Sequence, residues 1–162
     1  MITIDEVKVS DIPAVSNVIK TTWRDTYHEY LSPETSMKVT EFWLDPDILA
    51  HQITDPDVIF LAAKDETGTI VGVATALHIE PTTLQLAHLF VLPKKQRQGI
   101  GTLLLERVVK KLDYIKTIRT EVEDSNLRGL SFCIKRGFKK KGTKQDIVAD
   151  TILLAIIMEK QL

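Results

Sequence analysis

A strand that runs into a basic, glycine-bearing loop, then a helix and a second strand, restricts the fold of this chain more than any other feature. LQLAHLFVL (84–92) reads as the first strand, PKKQRQGIG (93–101) as the loop and IKTIRTEVE (115–123) as the second strand. Between them Leu104, Leu105, Val108, Val109 and Leu112 recur at helical spacing and form one apolar face, with Glu106 and Lys110 paired on the other. Two strands joined through a helix in this way lie parallel in one sheet.

The upstream half adds antiparallel strands. VIFLAAK (58–64) and TIVGVATALHI (69–79) flank the turn Asp65-Glu66-Thr67-Gly68 and predict a hairpin, and Pro81-Thr82-Thr83 turns the chain into 84–92. ITIDEVKV (2–9) alternates as a half-buried strand does. Asp11 caps a helix with apolar residues at Ile12, Val15, Val18 and Ile19, a face that continues to Trp23 and Tyr27. Ser32-Pro33 and Asp45-Pro46 each pair an N-cap with a first-turn proline, predicting helices over 33–43 and 46–53. A short helix over 126–136 closes at Gly137, and VADTILLAIIMEK (148–160) is the last strand. The predicted class is α+β: one domain over 1–162, with helices on both faces of a mixed sheet that joins an antiparallel meander to a parallel pair.

The loop is built for an anion. Backbone N–H groups at a helix N-terminus lack partners, and the helix dipole places partial positive charge there. Gly99 and Gly101 let a ligand approach the backbone, and Lys94, Lys95 and Arg97 add full charges. These parts suit phosphate groups. A Walker A loop would need Lys-Ser/Thr after Gly101, where Thr102-Leu103 stand. A dinucleotide fingerprint would need a third glycine at Leu104 and no Pro93–Gln98 insertion.

Gln96-Arg97-Gln98-Gly99-Ile100-Gly101 resembles the Q/R-x-x-G-x-G/A signature of the GCN5-related N-acetyltransferases, the GNAT superfamily. Downstream, Glu121-Val122-Glu123-Asp124-Ser125-Asn126 and Phe132-Cys133-Ile134-Lys135-Arg136-Gly137-Phe138 are similar to that family's second conserved segment. The likeness covers roughly 58–162 and leaves the first 57 residues matched only in helical layout. It implies that the strand at 89–91 splays from its parallel neighbour, so that Leu89, Phe90 and Val91 meet a pantetheine arm. It also implies that the amides of Arg97, Gln98, Gly99, Ile100, Gly101 and Thr102 wrap the pyrophosphate of acetyl-CoA, and that Asn126 binds the arm from the other side. No metal is required.

Acetyl transfer to an amine needs a base to free the nitrogen lone pair and a donor for the developing oxyanion, here a backbone N–H on 84–91. Glu121 stands where the related ribosomal-protein alanine acetyltransferases carry their catalytic glutamate, with Glu80 and His88 as reserves. Cys133 occupies the place of the family's acid tyrosine, a departure that puts the acid role in question. Trp23, Tyr27 and Tyr30, interspersed with carboxylates, suit a cationic amine. The acceptor is then a small cationic amine, a polyamine or a peptide or protein N-terminus. The alternative is an inactive acyl-CoA-binding sensor.

A formal net charge of −1 and the lack of stacking aromatics around the loop argue against a nucleic-acid partner. One cysteine, a first segment unlike a signal peptide and no apolar run long enough to span a bilayer place the chain, as an expectation, in the cytoplasm without a membrane partner. Analogy with the family allows a homodimer.

Overall fold

The computed structural model describes residues 1–148 and 151–162. Its elements are β1 (Thr3–Glu6), α1 (Ile12–Tyr27), α2 (Pro33–Glu41), α3 (Pro46–Thr54), β2 (Val58–Lys64), β3 (Ile70–Glu80), β4 (Thr83–Val91), α4 (Ile100–Lys110), β5 (Thr117–Glu123), α5 (Leu127–Lys135), β6 (Lys139–Val148) and β7 (Thr151–Gln161). Single 3-10 turns precede α1 and α4. The strands form one sheet in the order β1-β2-β3-β4-β5-β7-β6, antiparallel throughout except for β4 and β5. This is the mixed α+β sheet predicted from the 84–123 crossover.

Local chemistry sets the element ends. Ser32 Oγ accepts from Thr35 N–H, and Asp45 Oδ1 accepts from the N–H groups of Asp47 and Ile48, so both prolines sit inside capped first turns. Asp11 caps differently, because its carboxylate takes the N–H of Lys8 and closes the 3-10 turn before α1. In the β2–β3 turn, Asp65 Oδ1 accepts from the N–H groups of Thr67 and Thr69, and Gly68 takes a φ of 83°.

A layer of helix covers each face. On one, α4 buries Leu104, Leu105 and Val108 against Leu61, Ala63, Leu84, Leu86 and Ile118. On the other, α1 and α3 bury Val15, Val18, Ile19 and Leu49 against Phe60, Ala62 and Val73. A third cluster joins Trp23 and Tyr27 of α1 to Leu31 and Val39, with Leu153 of β7 packed on it.

The chain after Gly137 departs from expectation. Lys139–Val148 is a strand, β6, at the sheet edge, and β7 folds back between β6 and β5. Of the last strand predicted over 148–160, Ala149 and Asp150 lie outside the described residues. No helix among the described residues is long and apolar enough to cross a membrane.

Candidate active site

The parallel pair is short. β4 and β5 share only Thr83–Leu86 and Thr117–Thr120. Thr120 Oγ1 donates to the Leu86 carbonyl at 3.0 Å, and past that point the strands part. β4 continues to Val91 bonded to β3 alone, while β5 continues to Glu123 bonded to β7. The β3 register passes from Ala76↔Leu86 to Thr75↔His88, so Ala87 is an extra residue whose bulge bends β4 at the fork. One backbone edge of Ala87–Val91 therefore faces the opening. Leu89 and Val91 pack toward α4 and Phe90 packs toward α1. The Val91 carbonyl is already engaged, by Gln96 Nε2 at 2.9 Å and Thr22 Oγ1 at 3.3 Å.

The loop follows directly. Arg97 holds a left-handed φ of 64°, rare outside glycine, and Gly99 caps α4 with a φ of 83°. Among the described residues the backbone N–H groups of Arg97 through Thr102 find no acceptor, and the ladder resumes with Leu103 N–H to the Gly99 carbonyl at 3.0 Å. Lys94, Arg97 and Gln98 are exposed beside them, whereas the Ile100 side chain is buried in the core. Gly101 serves packing more than ligand approach: a Cβ there would meet the Phe132 ring at 3.2 Å, so its absence lets α5 lie close against α4. Thr102 Oγ1 accepts from Arg136, whose guanidinium lies 3.7 Å from the centre of the Phe132 ring. The array of unpaired amides with three nearby cations fits a pyrophosphate.

Across the fork, Asn126 caps α5 with Oδ1 on the Gly129 N–H at 2.9 Å. Arg128, two residues on, ties the loop to α1 by donating to Gln96 Oε1 and Asp25 Oδ2. Cys133 is buried with Leu105, Val108, Phe138 and Met158, and that burial pushes its thiol up to about 11.

Strand alternation turns Val122 of β5 into this core and puts Glu121 and Glu123 on the opposite face. Glu121 is exposed and pairs with Lys144 of β6 at 3.4 Å. Glu123 instead lines a cavity of about 360 Å³ between α1, α2 and the β6–β7 hairpin, walled by Trp23, Phe42, Trp43 and Leu153, with Asp146 beside it. Partial burial, then Asp146, Asp124 and Glu121, push the Glu123 carboxyl up to about 7, against a smaller opposing pull from Lys144. Tyr27 is buried and its phenol is pushed well above the ordinary range, by desolvation first and by Glu123 second. Tyr30 is 58% exposed and stands apart from the cavity wall. His88 packs between Trp43 and Phe90, and burial lowers its pKa to about 4, so its imidazole is neutral. Glu123, Trp43 and Asp146 were not predicted. The i, i+2 step from Glu121 is the signal for Glu123, whereas Asp146 lies on the unpredicted strand β6. A larger cavity of about 480 Å³ lies where β2 begins and β3 ends, beside the Lys111–Glu6 ion pair.

A family model described as an acetyltransferase (GNAT) domain matches residues 29–162. An uncharacterized N-acetyltransferase of Bacillus subtilis (strain 168), YuaI, is 30% identical over 116 residues, which is 66% of this chain and 62% of that relative's length. The crystal structure of the PaiA N-acetyltransferase from Thermoplasma acidophilum in complex with coenzyme A superposes with a TM-score of 0.86 at 26% identity, covering 100% of this chain and 99% of that one. The ribosomal-protein-S18-alanine N-acetyltransferase from Escherichia coli, at 21% identity and a TM-score of 0.72, shares the fold over 99% of this chain and 94% of its own.

Proposed function

The chain belongs to the GNAT acetyltransferase family, and from that premise we propose that it moves an acetyl group from acetyl-CoA to a primary amine by direct attack in a ternary complex. The observation that carries this reading is the run of unpaired amides from Arg97 to Thr102 beside the open edge of Ala87–Val91. The amides and the side chains of Lys94, Lys95 and Arg97 hold the pyrophosphate. The edge of Leu89, Phe90 and Val91 takes the pantetheine arm as an added strand does, with Asn126 on the other wall. The coenzyme A complex of the Thermoplasma relative supports this assignment. When bound, acetyl-CoA supplies a thioester activated toward nucleophiles.

The acceptor enters from the side of α1 and α2, where Trp23 and Tyr27 line or adjoin the cavity. Aromatic walls and carboxylates suit an alkyl ammonium, on a small amine or on a peptide N-terminus. Cys133 is the residue that the family pattern offers as proton donor to the leaving thiolate, and a cytoplasmic place fits its single unbridged thiol.

Thermal unfolding with and without acetyl-CoA, followed by thiol release on adding mixed primary amines, tests the reading. Acetyl-CoA at about a hundred times its dissociation constant adds roughly 2.7 kcal/mol, an expected rise of about 5–10 °C. No rise at millimolar acetyl-CoA would sink it.

A further inference from the structure

Two carboxylates at the end of β5 share one face, and the structure treats them differently. Glu121 is exposed and committed to Lys144 at 3.4 Å. Glu123 lines the cavity and forms no ion pair among the described residues. Trp23 lines the same cavity at 4% exposure, and its indole N–H has no acceptor among the described residues. A buried N–H without a partner costs stability, and only an acceptor on the ligand, such as a carbonyl oxygen, and not its ammonium, would satisfy it. A row of packed rings links the cavity wall to the fork. Ring centres step from Trp23 to Trp43 over 5.1 Å, on to His88 over 5.0 Å, and to Phe90 over 5.4 Å, on the stretch of β4 that faces the opening.

We propose that this cavity seats the acceptor's alkyl ammonium group and that Glu123, rather than Glu121, takes its proton. The inference rests on the acetyl-transfer reading above. In the step itself the ammonium N–H bond breaks and its proton passes to a Glu123 carboxylate oxygen, leaving a neutral amine. The freed lone pair forms the C–N bond at the thioester carbonyl as the C–S bond breaks. The nitrogen loses its second proton to solvent, and the thiolate leaves.

Burial first, and then the charged surroundings, give Glu123 the basicity for this. Glu121 and Asp124 flank it on its own segment, Asp146 and Lys144 face it from β6, and Lys38 of α2 and Tyr27 of α1 stand on the helical side. β7 contributes Leu153, which is apolar. Burial, and after it the negative neighbours, hold the Glu123 carboxyl at about 7, near the pH at which a base works best. His88, neutral and walled by rings, is left to packing.

The full chain saturated with acetyl-CoA is assayed for thiol release with butylamine, and its melting is followed from pH 4.5 to 8.5 without acetyl-CoA. In the wild type, kcat/KM rises with pH through a midpoint near 7 as Glu123 loses its proton. Glu123→Gln loses about a hundredfold or more, Glu121→Gln less than about tenfold, and Asp146→Asn moves the midpoint down. Melting gives a readout independent of turnover. The folded protein keeps the Glu123 proton up to about 7 while the unfolded chain releases it near 4.5, so stability falls as pH rises across that window. Glu123→Gln therefore melts a few degrees above the wild type at pH 8 and level with it at pH 4.5. Wild-type rates in Glu123→Gln, or a large loss confined to Glu121→Gln, overturn the assignment. So does an absence of thiol release from butylamine in a protein that acetyl-CoA stabilises. No stabilisation by acetyl-CoA overturns the acetyl-transfer reading itself, and this inference with it.

Discussion

Cys133 shows how much a single position changes once its neighbours are known. The family pattern offers it as an acid, but the residue is 6% exposed and belongs to the same buried core as Leu105, Val108, Phe138 and Met158. A thiol held near 11 keeps its proton at neutral pH, and a departing thiolate needs little help, so the contribution to rate is small. Cys133→Ala is expected to leave kcat within about threefold of the wild type while lowering stability in urea by about 1–2 kcal/mol through the cavity it leaves. Steady-state rates and an unfolding curve on the same variant check both halves. The β5 carboxylates repeat the lesson. Sequence places Glu121 and Glu123 on one face by alternation, but the Lys144 partner that separates them comes from a strand with no readable pattern.

Among the elements, those marked by local chemistry or by a hydrophobic pattern were legible, and the edge strand β6 was not. Ser32-Pro33 and Asp45-Pro46 mark α2 and α3 to within two residues at either end because cap and proline act within a single turn. KKKGTKQDIV carries no alternation, since β6 is an edge strand with lysines at 139, 140, 141 and 144, and its apolar partner β7 lies between it and β5. Lysines on an edge discourage pairing with other chains, which serves the protein and hides the strand from a hydrophobic pattern. The loop before α4 was legible in composition but not in the division of labour between its glycines. Gly99 has open space around its missing Cβ and is needed for its left-handed φ, whereas Gly101 is needed for the Phe132 contact. Gly99→Ala is therefore expected to cost about 1–2 kcal/mol in loop geometry and to raise the acetyl-CoA dissociation constant roughly tenfold, which calorimetric titration would show. An unchanged dissociation constant would mean that these amides do not set the affinity.

At the scale of the molecule, the sheet divides two packed layers and opens where β4 and β5 part. The crossover that requires a parallel pair was visible in the order of elements. The length of the pairing was not, because the Ala87 bulge and the Thr120 bond to Leu86 depend on contacts between strands remote in sequence. If the cofactor arm lies along β4, the amides of Ala87–Val91 that face the opening should exchange hydrogen more slowly once acetyl-CoA is bound, while those paired with β3 stay unchanged. Hydrogen-exchange mass spectrometry reads this segment directly, and equal rates in both states would count against the added-strand arrangement. The fork has a consequence for solubility as well. A strand with an unsatisfied edge invites other chains to zip onto it, and such edges commonly seed aggregates. Here the sticky edge lies inside the sheet between two arms of the same molecule, closed at its base by a hydroxyl bond, so that a slender extended ligand can reach what a neighbouring sheet cannot.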